Sequence, residues 1–374
     1  MSNNMIKPGQ TIGIIGGGQL GRMMTLSAKA SGFNVIVLEP TSNSPAGQVA
    51  DEEIVASYDD HEALALLAEK SDVITYEFEN IDYEALKALA EKAHIPQGAE
   101  IIRITQDRIT EKNTLHASGV KLAPFEIIRS VDEIEKGIEK VDYPCVLKTS
   151  RGGYDGKGQR VIRSQSDIEE ARKLLANGPC VLESWLEFEK EISVIVTRNE
   201  NGDMECFPVG ENIHQDNILH QTIVPARISE SIELAAYELA KKIALHVQLV
   251  GTLAVEMFVT KNGEIYVNEL APRPHNSGHY SIEACDFSQF DQHIRAVCNW
   301  PLKKPTLLKP VIMVNILGQH VNEIINHIPY VSEWSIHLYG KQEAKYQRKM
   351  GHITVLTDDI EATLLQLNDH HIWN

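Results

Sequence analysis

Cysteine is scarce in this chain of 374 residues: there are five, at positions 145, 180, 206, 285 and 298, with no C-x-x-C spacing. An odd count without paired spacing argues against a disulfide framework and a cysteine zinc site, and leads to the expectation of a reducing, cytoplasmic setting. Positive charge is also short. Lys and Arg number 35 against 52 Asp and Glu, a formal net charge of −17, which argues against non-specific binding to nucleic acid or to a membrane surface. An anionic small molecule stays open if cations converge locally. No apolar run reaches the length of a bilayer span, and the polar start MSNNMIKPGQ has no secretory leader pattern. What is present is an ordinary globular mix, 43% apolar and 23% charged, in a chain long enough for two or three domains.

The first hundred residues alternate strand and helix patterns. TIGII, NVIVLE, EIVAS and DVITYE read as strands; QLGRMMTLSAKASG, HEALALLAEK and YEALKALAEK read as helices. Such βα alternation predicts a parallel sheet. After residue 100 the pattern becomes mixed α+β. It runs from a helical ITEKNTLHASG into FEIIR, a helix, the strand PCVLKTS, a helix at SDIEEARKLLANG, the strands CVLESWL and KEISVIVTRN, and a long amphipathic helix over about 229–248. Asn-Gly turns at 201–202 and 262–263 predict two hairpins. The three prolines of PLKKPTLLKP mark a boundary. The strands VIMVNILG, WSIHLYG and HITVLT and a final helix follow. The expected domains are 1–107, 108–298 and 299–374.

The stretch SRGGYDGKGQR, Ser150 to Arg160, holds four glycines and a lysine yet is not a P-loop. The position five before Gly156 is Arg151, and Gly158 follows Lys157 where Ser or Thr is needed. IGIIGGGQLGRMM does carry Gly16-x-Gly18-x-x-Gly21 between a strand and a helix, with Glu39 ending the next strand, which is dinucleotide spacing. A helix start there offers N–H groups to an anion. A turn that only packs the helix on the sheet is the alternative.

The second hairpin is more informative. A two-residue Asn262-Gly263 turn would set Lys261 opposite Glu264, Phe258 opposite Val267 and Glu256 opposite Glu269. Two carboxylates facing each other within LAVEMFV and EIYVNEL would repel by roughly 3 kcal/mol at about 5 Å and an effective dielectric near 20. A divalent cation between them removes the penalty, and oxygen ligands suit magnesium; a shared proton or a solvated strand end are the alternatives. The same count at Asn201-Gly202 sets Glu191 opposite Asn212, with His214 one step away. That pair suits a ribose, a phosphate or solvent alone.

Lys148 in PCVLK needs an anion or a route to water. CVLESWL offers a strand edge to an adenine, with Glu183 as acceptor. Together with the glycine loop these residues make a magnesium-nucleotide site. In NELAPRPHNSGHY the prolines argue against a helix, and so against zinc at His275 and His279; a rigid loop presenting Arg273 to an anion is expected. YGKQEAKYQRKMGH clusters Lys341, Arg348 and Lys349, which read alone as a solvated face.

In combination, KTSRGGYDGKGQ, LESWLEFEKEISV, AVEMF and VNELAPRPHNSGH resemble the ATP-grasp superfamily. With GIIGGGQLGRM, YEFENI, YGK and RKMGH, nearly the whole chain resembles the 5-(carboxyamino)imidazole ribonucleotide synthetase family of purine biosynthesis. The resemblance implies an N-terminal doubly wound α/β (pre-ATP-grasp) domain, a central α+β ATP-grasp domain and a small C-terminal β-rich domain. It implies an ATP-dependent carbon-nitrogen ligase that carboxylates 5-aminoimidazole ribonucleotide with bicarbonate, releasing ADP and phosphate, as a cytoplasmic homodimer. Magnesium would accompany ATP, with manganese as a substitute.

On the same resemblance, Arg108 and Lys148 would contact ATP phosphates, under a flap formed by Gly153, Tyr154, Asp155, Gly156, Lys157, Gly158 and Gln159. Glu183, Ser184, Trp185 and Leu186 would hold adenine. Glu191, with His214 nearby, would hold ribose. Glu256 and Glu269 would bind the metal, with Asn268 beside them. The ribonucleotide would meet the Gly16–Gly21 turn, with Gln19 and Leu20 closest, together with Glu77, Tyr154, Asp155, Arg273, Lys341 and Arg348. Asp155, Lys341 and Arg348 would serve catalysis, Asp155 by accepting the amine proton. A formate-dependent glycinamide ribonucleotide transformylase would share the ATP site and differ in acceptor. An NAD-dependent oxidoreductase would account for the glycine turn and Glu39 but not the central domain, and a non-catalytic nucleotide-binding module would leave the carboxylate pair unexplained.

Overall fold

The computed structural model describes residues 5–153 and 156–373. Tyr154 and Asp155, both expected in the flap and the acceptor site, lie outside the described residues. Three sheets organise the rest. The first has four parallel strands, in the order Glu52–Val55, Asn34–Glu39, Thr11–Ile15 and Val73–Tyr76. Helices Gln19–Ala30, His61–Lys70 and Tyr83–Ala90 connect or follow these strands. Asp60 and Asp82 cap the latter two by accepting backbone N–H groups. The chain leaves Thr11–Ile15 to one side and returns as Val73–Tyr76 on the other. A crevice therefore opens past the carboxyl ends of these two strands.

The second sheet is antiparallel and has nine strands. Its path runs Ile265–Ala271, Gly251–Val259, Lys190–Arg198, Gly210–Gln215, Ile218–Val224, Val311–Leu317, Lys349–Leu356 and Trp334–Leu338, with Met204–Cys206 beside Lys190–Arg198. Helix Glu230–His246 packs Ala236, Ala240, Ile243 and Ala244 onto Ile192, Val194, Leu253 and Val255. The proline-rich segment at 301–310 does not interrupt this sheet. Ile218–Val224 pairs directly with Val311–Leu317 across it, so the three C-terminal strands extend the central sheet.

The third sheet, also antiparallel, has the order Phe125–Ile128, Cys180–Ser184, Cys145–Thr149 and Gln159–Ile162. The helix expected over SDIEEARKLLANG is different. It is a 3₁₀ turn at Gln165–Asp167, one α turn at Ile168–Ala171 and a second 3₁₀ segment at Arg172–Asn177. Its inward residues are Ile168, Ala171, Leu174 and Leu175, a set whose spacing of three fits a 3₁₀ turn as well as one face of an α-helix. All five cysteines are buried and unpaired. Among the described residues no helix is long and apolar enough to cross a membrane.

Candidate active site

Both Asn-Gly hairpins depart from the two-residue turn. The N–H of Thr260 reaches Glu264 O and that of Gly263 reaches Thr260 O, so the loop holds three residues, with Gly263 at φ +78°. Asn199, Asp203 and Gly202, at φ +93°, repeat the arrangement. A left-handed glycine closing a three-residue loop is the next common hairpin after the two-residue one. Phe258 therefore faces Tyr266, and Met257 faces Val267. Lys261 lies within the loop rather than opposite Glu264. Asn268 is then an extra residue, a β-bulge, and past it Glu256 faces Glu269 after all. In the first hairpin the register shifts by one residue between Cys206 and Gly210, and Asn212 again faces Glu191.

The bulge is held from the helix Arg108–Ala117. Lys112 Nζ donates to Asn268 O at 3.1 Å, and the Leu270 N–H donates to Glu111 Oε1 at 2.7 Å. Glu111 and Lys112 are both buried, and sequence reasoning missed them. Their signal was available: they lie four and three residues before the core residue Leu115, on its face of the helix.

The buried carboxyls of Glu256 and Glu111 lie beside the half-exposed Glu269, so like charge converges at the edge of a dry place. Burial, then Glu269 and Glu191, hold the Glu256 carboxyl well above its ordinary range. Burial and Glu269 likewise raise Glu111. Arg108 Nη2 lies 3.6 Å from Glu269 Oε2. His275 Nε2 lies 3.3 Å from Glu256 Oε1, and its Nδ1 accepts from the Ser277 N–H at 3.3 Å. Burial keeps this imidazole neutral, far below its usual pKa, so Nε2–H is the donor toward Glu256. His275 serves the carboxylate pair and not a zinc site shared with His279.

Across the cleft, Lys148 Nζ and Lys112 Nζ approach one oxygen of Glu183, at 3.1 and 3.2 Å. Burial would raise the Glu183 carboxyl, but Lys148, Lys112 and Arg108 bring it down to about 2. Burial in turn pulls Lys148 below its ordinary value. The glycine segment joins Cys145–Thr149 to Gln159–Ile162 as a hairpin, with Lys148 paired to Gln159. Asp107 fixes its base, capping the helix at Thr110 N while accepting from Ser150 Oγ at 2.8 Å.

In the next segment Ser184 N and Trp185 N donate to Pro124 O and Pro144 O. The Leu186 N–H has no acceptor among the described residues. Phe188 stacks on Phe258 with centroids 4.4 Å apart. His214 Nδ1 stands 3.3 Å from Glu191 Oε2. One cleft of about 520 Å³ is lined by Arg108, Lys148, Gly153, Gly156, Lys157, Gln159, Glu183 through Leu186, Glu191, His214, Glu256, Asn268 and Glu269. Lys112, Glu79, His275 and Lys349 join them. Gly158 is not part of this lining.

The glycine turn meets a different fate from the one its spacing suggested. Gly17 N donates to Glu39 Oε2 at 2.8 Å, Gly21 N to Glu77 Oε2 at 2.6 Å, and Gly18 N to Glu77 Oε1. The acceptor at this helix start is the protein's own Glu77, whose carboxyl burial raises from its ordinary value against the opposing pull of those two N–H groups. A Cβ on Gly21 would come within 2.5 Å of Gly16 O, so the fingerprint here secures close packing. Glu39 also accepts from the Tyr58 hydroxyl, so the carboxylate an NAD ribose would need is already engaged within the protein. Only the Gln19 and Leu20 N–H groups of the turn lack an acceptor among the described residues. The Leu20 side chain is core, and neither residue lines the adjoining cavity.

That cavity, about 330 Å³, is lined by Gly17, Gly18, Glu39, Glu77, Lys341 and Arg348 among others. Lys341 is therefore not on a solvated face. Its Nζ donates to Lys349 O at 2.7 Å, and burial, then Arg348, lower its pKa to about 8. Arg273, expected here, lines the larger cleft instead. Its guanidinium grips Glu79 through two contacts, of 2.7 and 3.3 Å.

Family comparisons cover these same segments. Residues 9–106 match the ribonucleotide synthetase preATP-grasp domain, 113–290 the ATP-grasp domain, and 311–366 the phosphoribosylaminoimidazole carboxylase C-terminal domain. The chain is 54% identical over 356 residues to the N5-carboxyaminoimidazole ribonucleotide synthase of Bacillus subtilis (strain 168), covering 95% of this chain and 94% of the relative. A solved N5-carboxyaminoimidazole ribonucleotide synthetase in complex with ADP superposes with a TM-score of 0.97 at 56% identity, over 99% of this chain and 98% of that one. The Aspergillus clavatus N5-carboxyaminoimidazole synthase in complex with ADP and 5-aminoimidazole ribonucleotide gives 0.89 at 34% identity, over 96% of each chain.

Proposed function

The chain belongs to the N5-carboxyaminoimidazole ribonucleotide synthase family, and from that premise we propose that it carboxylates 5-aminoimidazole ribonucleotide at the expense of ATP, in purine biosynthesis. The observation that carries the reading is the pairing of Glu256 with Glu269 in a cleft that Arg108 and Lys148 also line. Such a mixture suits a polyphosphate with its divalent cation. The oxygen donors of Glu256 and Glu269 fit magnesium, or manganese in its place, and the excess of buried carboxylate is what such an ion would neutralise. When bound, the ion would shield the charge of the transferring phosphoryl group.

In this reading Arg108 and Lys148 hold the phosphates, the glycine hairpin covers them, and phosphoryl transfer to bicarbonate gives carboxyphosphate and ADP. Release of phosphate yields carbon dioxide, which the amine of the ribonucleotide captures to form the carbamate as it gives up a proton, with Asp155 as the acceptor in this reading. The Leu186 N–H and the Phe188–Phe258 stack suit a purine, and Glu191 with His214 suits its ribose. Lys341 and Arg348, which line the acceptor cavity, suit the acceptor's phosphate. Arg273, paired with Glu79, stays on the nucleotide side, lining the larger cleft. We assign nucleotide chemistry to residues 108–298 and the acceptor cavity to 1–107 with 299–374, in a cytoplasmic homodimer. ADP release that requires 5-aminoimidazole ribonucleotide and bicarbonate together is the expected result. Equal release with glycinamide ribonucleotide and formate would overturn it.

The acceptor cavity gives a pH prediction. Lys341 is charged below a pKa of about 8 and neutral above it. Its attraction for a phosphate is therefore lost as pH rises through that value. kcat/KM for the ribonucleotide should fall over this limb. Lys341→Arg, which stays charged, should remove the limb. An unchanged limb in the arginine variant would take Lys341 out of the phosphate site.

A further inference from the structure

We propose that His327, His370 and His371 form a binding site for a divalent transition ion of the zinc class, separate from the active site. One ligand nitrogen of each lies within 4.8 Å of the others. None of the three lines the nucleotide cleft or the acceptor cavity. The topology gathers them from two places. His327 ends the helix Val321–His327, and His370 and His371 follow the helix Ile360–Asn368. The carboxyl end of the Ile360–Asn368 helix meets the cluster, and its carbonyl dipoles favour a cation there.

The ring nitrogens are set up for ligation. His327 Nδ1 lies 2.8 Å from Glu323 O. A carbonyl only accepts, so the proton sits on Nδ1 and the Nε2 lone pair is left for an ion. A metal-bound histidine is ordinarily oriented in this way, by giving its other N–H to a backbone carbonyl. His370 Nδ1 is buried and has no hydrogen-bond partner among the described residues. Buried polar atoms are nearly always satisfied, and coordination would satisfy this one. His371 extends toward solvent, and its Nε2 is 3.8 Å from Glu323 Oε2. That carboxylate is placed to supply an oxygen as the fourth ligand. The ring centroids are 4.8 to 5.0 Å apart, too close for three imidazolium charges to coexist cheaply.

Three imidazoles and one carboxylate suit zinc, nickel or copper in a four-coordinate arrangement. They do not suit magnesium, which takes oxygen ligands. The two sites therefore select different ions. An ion held here would tie the 321–327 helix to the segment after the last α-helix, closing the end of the extended sheet against local opening.

Trp334 reports on the site, since its ring lies 5.4 Å from that of His370. The test uses tag-free, full-length protein saturated with Mg-ADP, so that the active-site carboxylates do not compete. Copper or nickel should quench tryptophan fluorescence with one equivalent bound, and zinc should raise the melting temperature. Zinc affinity should weaken at least about tenfold in His327→Gln and in the exposed variant His371→Gln, with magnesium-supported ADP release unchanged. Zinc affinity within about twofold of the parent in the His327→Gln/His371→Gln double variant would overturn the proposal. So would the absence of binding at about 100 μM zinc.

Discussion

Replacing Glu269 with glutamine is expected to lower ADP release by a factor on the order of 10³ without destabilising the fold. The two effects part company because the Glu269 charge, itself half exposed, repels two buried carboxyls. Glu269 faces Glu256 directly across the bulged ladder, and its charge helps push both Glu256 and Glu111 above the carboxylate range. Glutamine keeps the shape and removes that repulsion. The melting temperature should hold or rise, and the Glu256 carboxyl should become more acidic. What is lost is one of two oxygen donors for a divalent ion, together with the carboxylate that Arg108 faces at 3.6 Å. Manganese binding followed by electron paramagnetic resonance should weaken in parallel with turnover. Turnover unchanged with normal manganese binding would remove the metal role from this pair.

The pairing of Glu256 with Glu269 was legible in the sequence, although the turn geometry used to derive it was not correct. Counting from a two-residue turn misplaces Phe258 and Met257 by one register step, and the bulge at Asn268 restores the count just before the carboxylates. Local turn chemistry distinguishes a three-residue loop from a two-residue one only weakly. The bulge depends on Lys112 and Glu111, residues some 150 positions away, and no local pattern announces it. The glycine turn shows the converse. Its spacing correctly placed a strand, a sharp turn and a helix. What fills the N–H cradle, however, is Glu77 from the end of the neighbouring strand Val73–Tyr76, a tertiary fact. The helical reading of residues 166–178 failed because an apolar spacing of three fits a 3₁₀ turn as well as one face of an α-helix. Parallel βα order and the position of the glycine hairpin were readable because they rest on alternation and chain order alone.

Glu183→Gln should cost about 3–5 kcal/mol of folding stability at neutral pH, the cost of leaving buried charge without its partner. The side chain is 4% exposed and sits between Lys148 and Lys112. The pH dependence has a definite sign. The folded-state pKa of about 2 lies below the ordinary 4.5. The stabilisation is therefore complete above about 4.5 and is lost as pH falls toward about 2. Urea unfolding of the parent should show this acid limb, and the glutamine variant should lack its Glu183 component. The two lysines left behind are not equivalent. Lys112 is enclosed, 1% exposed at its side chain, whereas Lys148 is 15% exposed and borders the cleft. An uncompensated charge costs more where water cannot reach it. Adding Lys112→Met to Glu183→Gln should therefore recover more stability than adding Lys148→Met. Equal recovery, or none, would mean that this buried triad is not a stabilising unit. The Lys112 double variant should still turn over slowly even when refolded, because Asn268 O would have lost the donor that holds the metal-side bulge in register.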